Sequence, residues 1–167
     1  MSNTRTVVID NKNKWQTLQI DHEVDFYFDH TLFSSVAQAM MYYRMDDTSA
    51  RERLYNCNNL EQAKEESFQY TGDISKMWLN SPGNVIYSLT RARFDGDENA
   101  RSLLLSTGSG KIVIYGDDLV LFMDKQSKQG LNTYGRILMQ LRAWYRFMER
   151  VLGPEEMSDA GDIIIQR

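Results

Sequence analysis

Ser35-Val36-Ala37-Gln38-Ala39-Met40-Met41-Tyr42-Tyr43-Arg44-Met45 is the stretch on which the reading of this chain turns. Val36, Ala39, Met40 and Tyr43 recur at three- and four-residue spacing, the period that gathers side chains on one face of a helix. Ser35 stands where a hydroxyl can cap the free amides of a first turn. A partly buried helix is expected from Ser35 onward.

Upstream of it the pattern changes period. Thr6 to Ile9, Trp15 to Ile20 and Val24 to Phe28 are short β-rich runs separated by turn-type residues, and they are expected to form a small antiparallel unit. Downstream, Asp47 to Leu54 and Asn59 to Phe68 read as amphipathic helices whose charged residues face solvent. Ser81-Pro82 is a helix start with a mechanism, since the serine can cap and proline sits where no amide donor is needed; that helix should run to about Phe94.

Gly96-Asp97 opens a further helix carrying Leu103, Leu104 and Leu105, which Thr107-Gly108-Ser109-Gly110 breaks. Lys111 to Tyr115 and Leu119 to Met123 flank Gly116-Asp117-Asp118 and suggest a hairpin or paired edge. Asp124 to Asn132 is polar and loop-like. The strongest helical pattern starts near Asn132, turns Ile137, Leu138, Leu141, Trp144, Tyr145 and Met148 toward a core, and stops at Gly153-Pro154. The tail from Asp162 to Gln166 is open to a strand or to no regular structure. The expected fold class is α+β, mainly helical, as one domain over residues 1–167 with a small antiparallel sheet and a C-terminal tail from residue 154.

A chain of 167 residues is long enough to bury a core without staples. Its formal net charge of -4 argues against holding duplex DNA through a broad basic face, and leaves room only for a local contact with nucleic acid. Cys57, the one cysteine, cannot form an internal disulfide, and a cytoplasmic location is expected. No apolar run is long enough to span a bilayer, so no membrane partner is expected. Two histidines and one cysteine make a poor zinc ligand set, and neither a metal nor a cofactor is expected.

Some familiar constellations are missing. Thr107-Gly108-Ser109-Gly110-Lys111 lacks the glycine spacing of a phosphate loop and the hydroxyl residue after its lysine, so a helix stop explains it better. Cys57 lies in an Asn-rich turn far in sequence from His22 and His30, which reads against a thiol nucleophile with a histidine base. Both histidines are expected as partly exposed side chains.

The quoted helix resembles the signature helix of the NADAR (YbiA-like) family of N-glycosidases, which opens with Ser or Thr, a small residue, Glu and His and closes with Lys and an aromatic. In that register Ala37 stands at the family's catalytic glutamate and Arg44 at its lysine. Further motifs follow in order: Trp78, then a helix ending Arg91-Ala92-Arg93-Phe94, then Ala100-Arg101-Ser102-Leu103-Leu104-Leu105-Ser106-Thr107. Gly130-Leu131-Asn132-Thr133-Tyr134-Gly135 is similar to the family's Gly-x-Asn-x-Leu-Gly. The likeness spans roughly residues 34–146, and the ordered series is more specific than any one member. Two departures stand out. The family's Phe-Ser-Asn-Phe element is absent before the helix, and its aspartate followed by Trp-Gly-x-Gly is altered, with Asp118 the better match if one residue is inserted and Asp124 the fallback.

The resemblance implies hydrolysis of an N-glycosidic bond, with ADP-ribose on guanine, in nucleic acid or as a nucleoside, or a ribosylamino-pyrimidine phosphate as substrate. Breaking such a bond builds positive charge on the ribose, which a carboxylate near the anomeric carbon stabilises while it activates water. Ala37 does neither, and a deficit of about 100-fold or more in rate is expected. The alanine reads either as an introduced glutamate-to-alanine change or as a natural replacement in a module that binds an ADP-ribose-like nucleotide without turnover. Asp118 and Asp124 are the remaining carboxylate candidates. Trp78 is expected to stack on a base or cover the site, and Arg44 with the loop amides around Gly130 to Asn132 to meet phosphate oxygens. Each has an ordinary structural role beside this one: core packing for Trp78, a turn for Asp118, a helix cap for Asn132 and a solvated side chain for Arg44.

Overall fold

Five of the helices begin where a short polar side chain accepts a hydrogen bond from an amide of the first turn, the device that ends the search for a helix start. The structure is a computed structural model that describes residues 5–10 and 12–152. Ser35 caps α1 (Val36–Arg44), Asp47 caps α2 (Thr48–Tyr55) and Asn59 caps α3 (Leu60–Gln69). Ser75 caps α4 (Lys76–Asn80), α5 (Pro82–Asp95) follows directly after Ser81, and Asp97 caps α6 (Glu98–Ser106). The longest helix, α7, covers Thr133–Leu152. Four short strands complete the set: β1 (Thr6–Ile9), β2 (Phe26–Phe28), β3 (Thr31–Phe33) and β4 (Lys111–Ile114). The chain is mainly helical, as expected.

The contacts divide the chain into two compact units. One covers Ile20–Arg93. Here β2 and β3 form an antiparallel hairpin, Phe26 opposite Phe33, closed by Asp29 and His30 with φ of 49° and 61°. Two successive left-handed residues give the turn that matches the twist of paired strands, and Asp tolerates that conformation better than most. α1 packs on β3, α2, α3 and α4. Met45, Ala50, Leu54 and Ala63 form the small buried cluster among these helices. Beside it the rings of Phe33, Tyr42, Tyr43 and Tyr55 meet at tilted and edge-on angles, with Phe28 edge-on to Tyr43.

The other unit joins the chain up to Gln19 with the chain from Phe94. β1 pairs with β4 in parallel, Thr6 with Lys111 through Ile9 with Ile114. α7 packs on β4 and α6, and its apolar face buries Tyr134, Ile137, Leu138, Leu141 and Tyr145. Trp144 and Met148, expected on the same face, are only half-buried.

Three expectations are corrected. Trp15 to Ile20 is not a strand: Gln16–Leu18 is a single 3-10 turn, entered from Trp15 with its amide held by the Asn13 side chain. Leu119 to Met123 forms no hairpin with Lys111 to Tyr115, because Asp118 organises a tight turn and Met123 bridges Tyr115 only in isolation. The antiparallel unit of the first thirty residues is replaced by the β2–β3 hairpin, while β1 takes its partner from the far end of the chain. The Gly153-Pro154 stop and the tail at Asp162 to Gln166 lie outside the described residues.

Candidate functional site

The signature helix α1 is fixed at its start by a reciprocal pair of caps. Ser35 Oγ accepts from the Gln38 amide at 3.1 Å, and Gln38 Oε1 accepts from the Ser34 amide at 2.9 Å and from the Ser34 hydroxyl at 3.0 Å. This is a capping box displaced by one residue, and it closes donors that would otherwise be buried unpaired. The strap from Ile20 to Val24 is tied to the same turn, since Ala37 donates its amide to Ile20 O and Val24 donates to Ser34 O, both at 2.8 Å.

Ala37 therefore sits in the first turn of a helix held on two sides. It is buried, yet like Gln38 at 7% it retains 8% exposure, where Val36 and Ala39 have none. Arg44 lies seven residues on, nearly two full turns and about 10 Å along the axis, on the same face. Between them on that face Met40 and Met41 are half-buried and Arg44 is exposed, so the face opens steadily from Ala37 toward Arg44.

Trp78 belongs to the far end of this helix. Ser75 donates its hydroxyl to Tyr43 O at 2.6 Å and its amide to Arg44 O at 2.9 Å, and the same hydroxyl oxygen caps Trp78 at 3.3 Å. These bonds seat α4 on the last turn of α1 and bring the half-buried Trp78 to the Arg44 end. α4 itself was not expected from sequence. Five residues with no apolar repeat give no helical period to detect.

A cavity of about 580 Å³ lies at the opposite, capped end of α1. Glu23, Asp25, Phe33, Gln38 and Tyr55 are among its walls, with Cys57 and Asn58 to Asn59 at one side. Its size is that of ordinary small-ligand sites. Sequence reasoning missed this grouping, because three separate segments supply it; the one legible signal was the Ser-x-x-Gln spacing from Ser35 to Gln38. A second hollow of about 480 Å³ beyond the other end of α1 is walled by Asp46, Asp47 and Asp73 with Tyr70, a lining that repels anions.

The environment also tunes ionisation. Burial raises the Tyr43 hydroxyl to about 12, with the nearby Asp29 and Tyr42 acting in the same direction. Burial, then Glu66, raises the Cys57 thiol above its usual value, which makes it a poor thiolate.

The remaining candidates lie in the other unit, and each is engaged in local structure. Asp118 is exposed, and its Oδ1 accepts from the amides of Val120 at 2.9 Å and Leu121 at 3.1 Å. Asp124 Oδ1 accepts from Ser127 at 2.6 Å and Gln126 at 3.1 Å, and hydrogen bonds from Ser127 hold its carboxyl below the usual range. Gly130 has φ of 125°, and a Cβ there would collide with Phe122 O. The Leu131 amide donates to Leu119 O and the Asn132 amide to Phe122 O, so these two loop amides are satisfied internally instead of being presented to phosphate. Asn132 is buried, donates to Ile112 O at 2.8 Å and accepts from the Ile114 amide at 3.1 Å. Its side chain thus extends the ladder of β4 and is not a helix cap. Among the described residues no cluster of His, Cys, Asp and Glu could hold a metal, and no helix is long and apolar enough to cross a membrane.

The series of motifs now has a spatial basis, and comparison with known proteins agrees with it. A family profile for the NADAR domain matches residues 3–146. The chain belongs to the NADAR family. Its fold is similar to that of the E. coli protein YbiA, solved by NMR, with a TM-score of 0.80 at 18% identity over 91% of this chain and 90% of that one. No curated protein sequence matches it. Within the NADAR family frame, Ala37 and Arg44 fall on the exposed-going face of α1, and the Gly130 to Gly135 motif acts as the clasp between β4 and α7.

Proposed function

We propose that this NADAR protein belongs with N-glycoside hydrolases that remove ADP-ribose from guanine, and that Ala37 impairs the reaction in this chain. The carrying observation is the seating of position 37. It lies in the first turn of a doubly capped helix, keeps a small exposed area, and shares its face with Arg44. A glutamate side chain there extends from a rigid base along the opening face, as a group that stabilises charge on a ribose ring must. Arg44 on the same face supplies a cation for the phosphates of the ADP-ribose from which guanine departs. Trp78, beside the Arg44 end, offers a flat apolar surface to cover it.

The test is Ala37→Glu, followed by the release of ADP-ribose from a guanine-modified nucleoside or oligonucleotide. A gain of about 100-fold or more over the alanine form is expected. No gain in a folded Ala37→Glu protein removes the hydrolytic reading.

A second reading, a module that binds an ADP-ribose-like nucleotide without turnover, is favoured by the engagement of Asp118 and Asp124 in their own turns. Neither offers an evident substitute for the missing carboxylate. Tight binding of ADP-ribose by the alanine form, with no hydrolysis by either form, selects it. A ribosylamino-pyrimidine phosphate as substrate is separated by assaying that compound in parallel.

A further inference from the structure

We infer that the exposed apolar stripe on the last turns of α7 is the docking surface for this chain's own C-terminal segment. Ile163-Ile164-Ile165 seats on the stripe, and the acidic residues before it face the arginines that border it.

The stripe follows from helical spacing. Trp144, Phe147 and Val151 stand three and four positions apart, on one line of α7, turned away from the face that buries Leu138, Leu141 and Tyr145. Phe147 is 55% exposed and Val151 59%, and the rings of Trp144 and Phe147 lie 6.2 Å apart. A lone exposed apolar side chain is ordinary on a protein surface, whereas a contiguous run of them marks a place that something covers.

Two features of the stripe indicate what covers it. It is confined to the turns nearest Leu152: followed toward the helix start, the same line meets Gln140 and Arg136, both exposed. A second copy packed along α7 would need the stripe to continue there, since a stable interface buries about 1,200 Å² or more. Three side chains, one of them half-buried already, supply a fraction of that. A segment tethered at Leu152 needs much less, because a short tether holds it at a local concentration of about millimolar. The border is also basic. Arg150 flanks the stripe and Arg136 ends it, both exposed, and neither is in an ion pair among the described residues.

The chain after the helix is complementary in both respects. Past Gly153-Pro154, which cannot continue a helix, come Glu155, Glu156, Asp159 and Asp162, and then the three isoleucines. All of these lie outside the described residues. Ile163 follows Leu152 by eleven positions, an extended reach of up to about 36 Å, while Trp144 to Val151 covers about 10 Å of the helix axis. The isoleucines therefore reach every part of the stripe. Four carboxylates facing Arg150 and Arg136 set the direction of approach, and the apolar contact supplies most of the hold, since exposed ion pairs are screened.

NMR of the full chain tests this. NOEs are expected from the methyl groups of Ile163 to Ile165 to the Phe147 ring and the Val151 methyls, at intensities independent of protein concentration. Ile163→Ser, Ile164→Ser and Ile165→Ser together should erase them and move the Val151 methyl signals. Ile163→Ser or Ile165→Ser alone, at positions that share one face of an extended run, should lower the docking equilibrium about tenfold. Arg150→Glu should lower it about twofold to fivefold. The buried Leu138 and Leu141 methyls should stay in place throughout, which separates lost docking from a lost fold. Absent NOEs, or Val151 signals unmoved by the triple substitution, overturn the inference. So do NOEs that grow with concentration alongside a dimer in sedimentation, which assign the stripe to a second copy.

Discussion

Gly135 makes room for the side chain of Asn132: a methyl group at 135 would stand 2.5 Å from Asn132 Oδ1 and 2.7 Å from Ile112 O. The carboxamide in question bonds a carbonyl and an amide on the one edge of β4 that β1 leaves free, so the helix and the strand approach closely only because residue 135 lacks a side chain. Gly135→Ala is expected to destabilise the fold by about 1–3 kcal/mol through overpacking, against the small gain that alanine normally brings to a helix. Urea denaturation checks it. An unchanged or raised midpoint would show that the clasp yields at little cost.

Thr107 and Arg142 join the ends of two other motifs. The buried Arg142 guanidinium donates to Thr107 Oγ1 at 2.7 Å, and that hydroxyl donates onward to Leu104 O at 2.6 Å. Burial, then the neighbouring Arg146, lowers the pKa of Arg142, the sign of a cation that misses water. Thr107→Val keeps the shape and deletes the acceptor, and a loss of about 1–3 kcal/mol is expected. Pairing it with Arg142→Met should recover part of that loss, because an apolar pair leaves no buried charge unpaired. Purely additive losses in the double variant would mean that the two side chains are not coupled.

Tyr43 sets an alkaline limit. Burial, then the nearby Asp29 and Tyr42, raises its hydroxyl from the ordinary 10.0 to about 12 in the folded chain. With the folded value raised, the unfolded chain sheds this proton first; the stabilisation is whole below pH 10.0 and drains away as pH climbs toward about 12. Tyr43→Phe keeps the ring against Phe28 and should flatten the fall in thermal midpoint across that window. A fall of equal steepness in both proteins would place the alkaline sensitivity at other tyrosines.

Local chemistry was legible in the sequence and long-range chemistry was not. The starts of α1, α2, α3 and α6 follow from Ser35, Asp47, Asn59 and Asp97, each of which caps with its own side chain within four residues. β1 was readable as a strand, yet its parallel partner β4 lies about a hundred residues away, and nothing local encodes which strand it will meet. Trp15 to Ile20 misled because Trp15, Thr17, Leu18 and Ile20 make a short run of β-compatible composition, while Asn13 and the buried Leu18 fold it as a turn. At the candidate site the helix register placed Ala37 and Arg44 on one face. The cavity at the capped end of α1 was hidden, since Glu23, Gln38 and Tyr55 converge only after the strap, α1 and α2 are packed.

The aspartates can be judged on the Ala37→Glu background. Asp118 and Asp124 each spend one carboxylate oxygen on two amides of a turn, and Asp124 is further held ionised by Ser127. The Asp124 carboxyl, with its pKa depressed, is a weak base near neutral pH, where a general base works best with a pKa close to that of the medium. Asp118→Ala and Asp124→Ala should lower stability by about 0.5–2 kcal/mol, as other lost caps do, while hydrolysis by the Ala37→Glu protein stays within about tenfold. Rates and melting curves measured together separate the two effects. A loss of about 100-fold at either aspartate with the fold intact would return that residue to the reacting centre and make its turn a means of aiming the second oxygen.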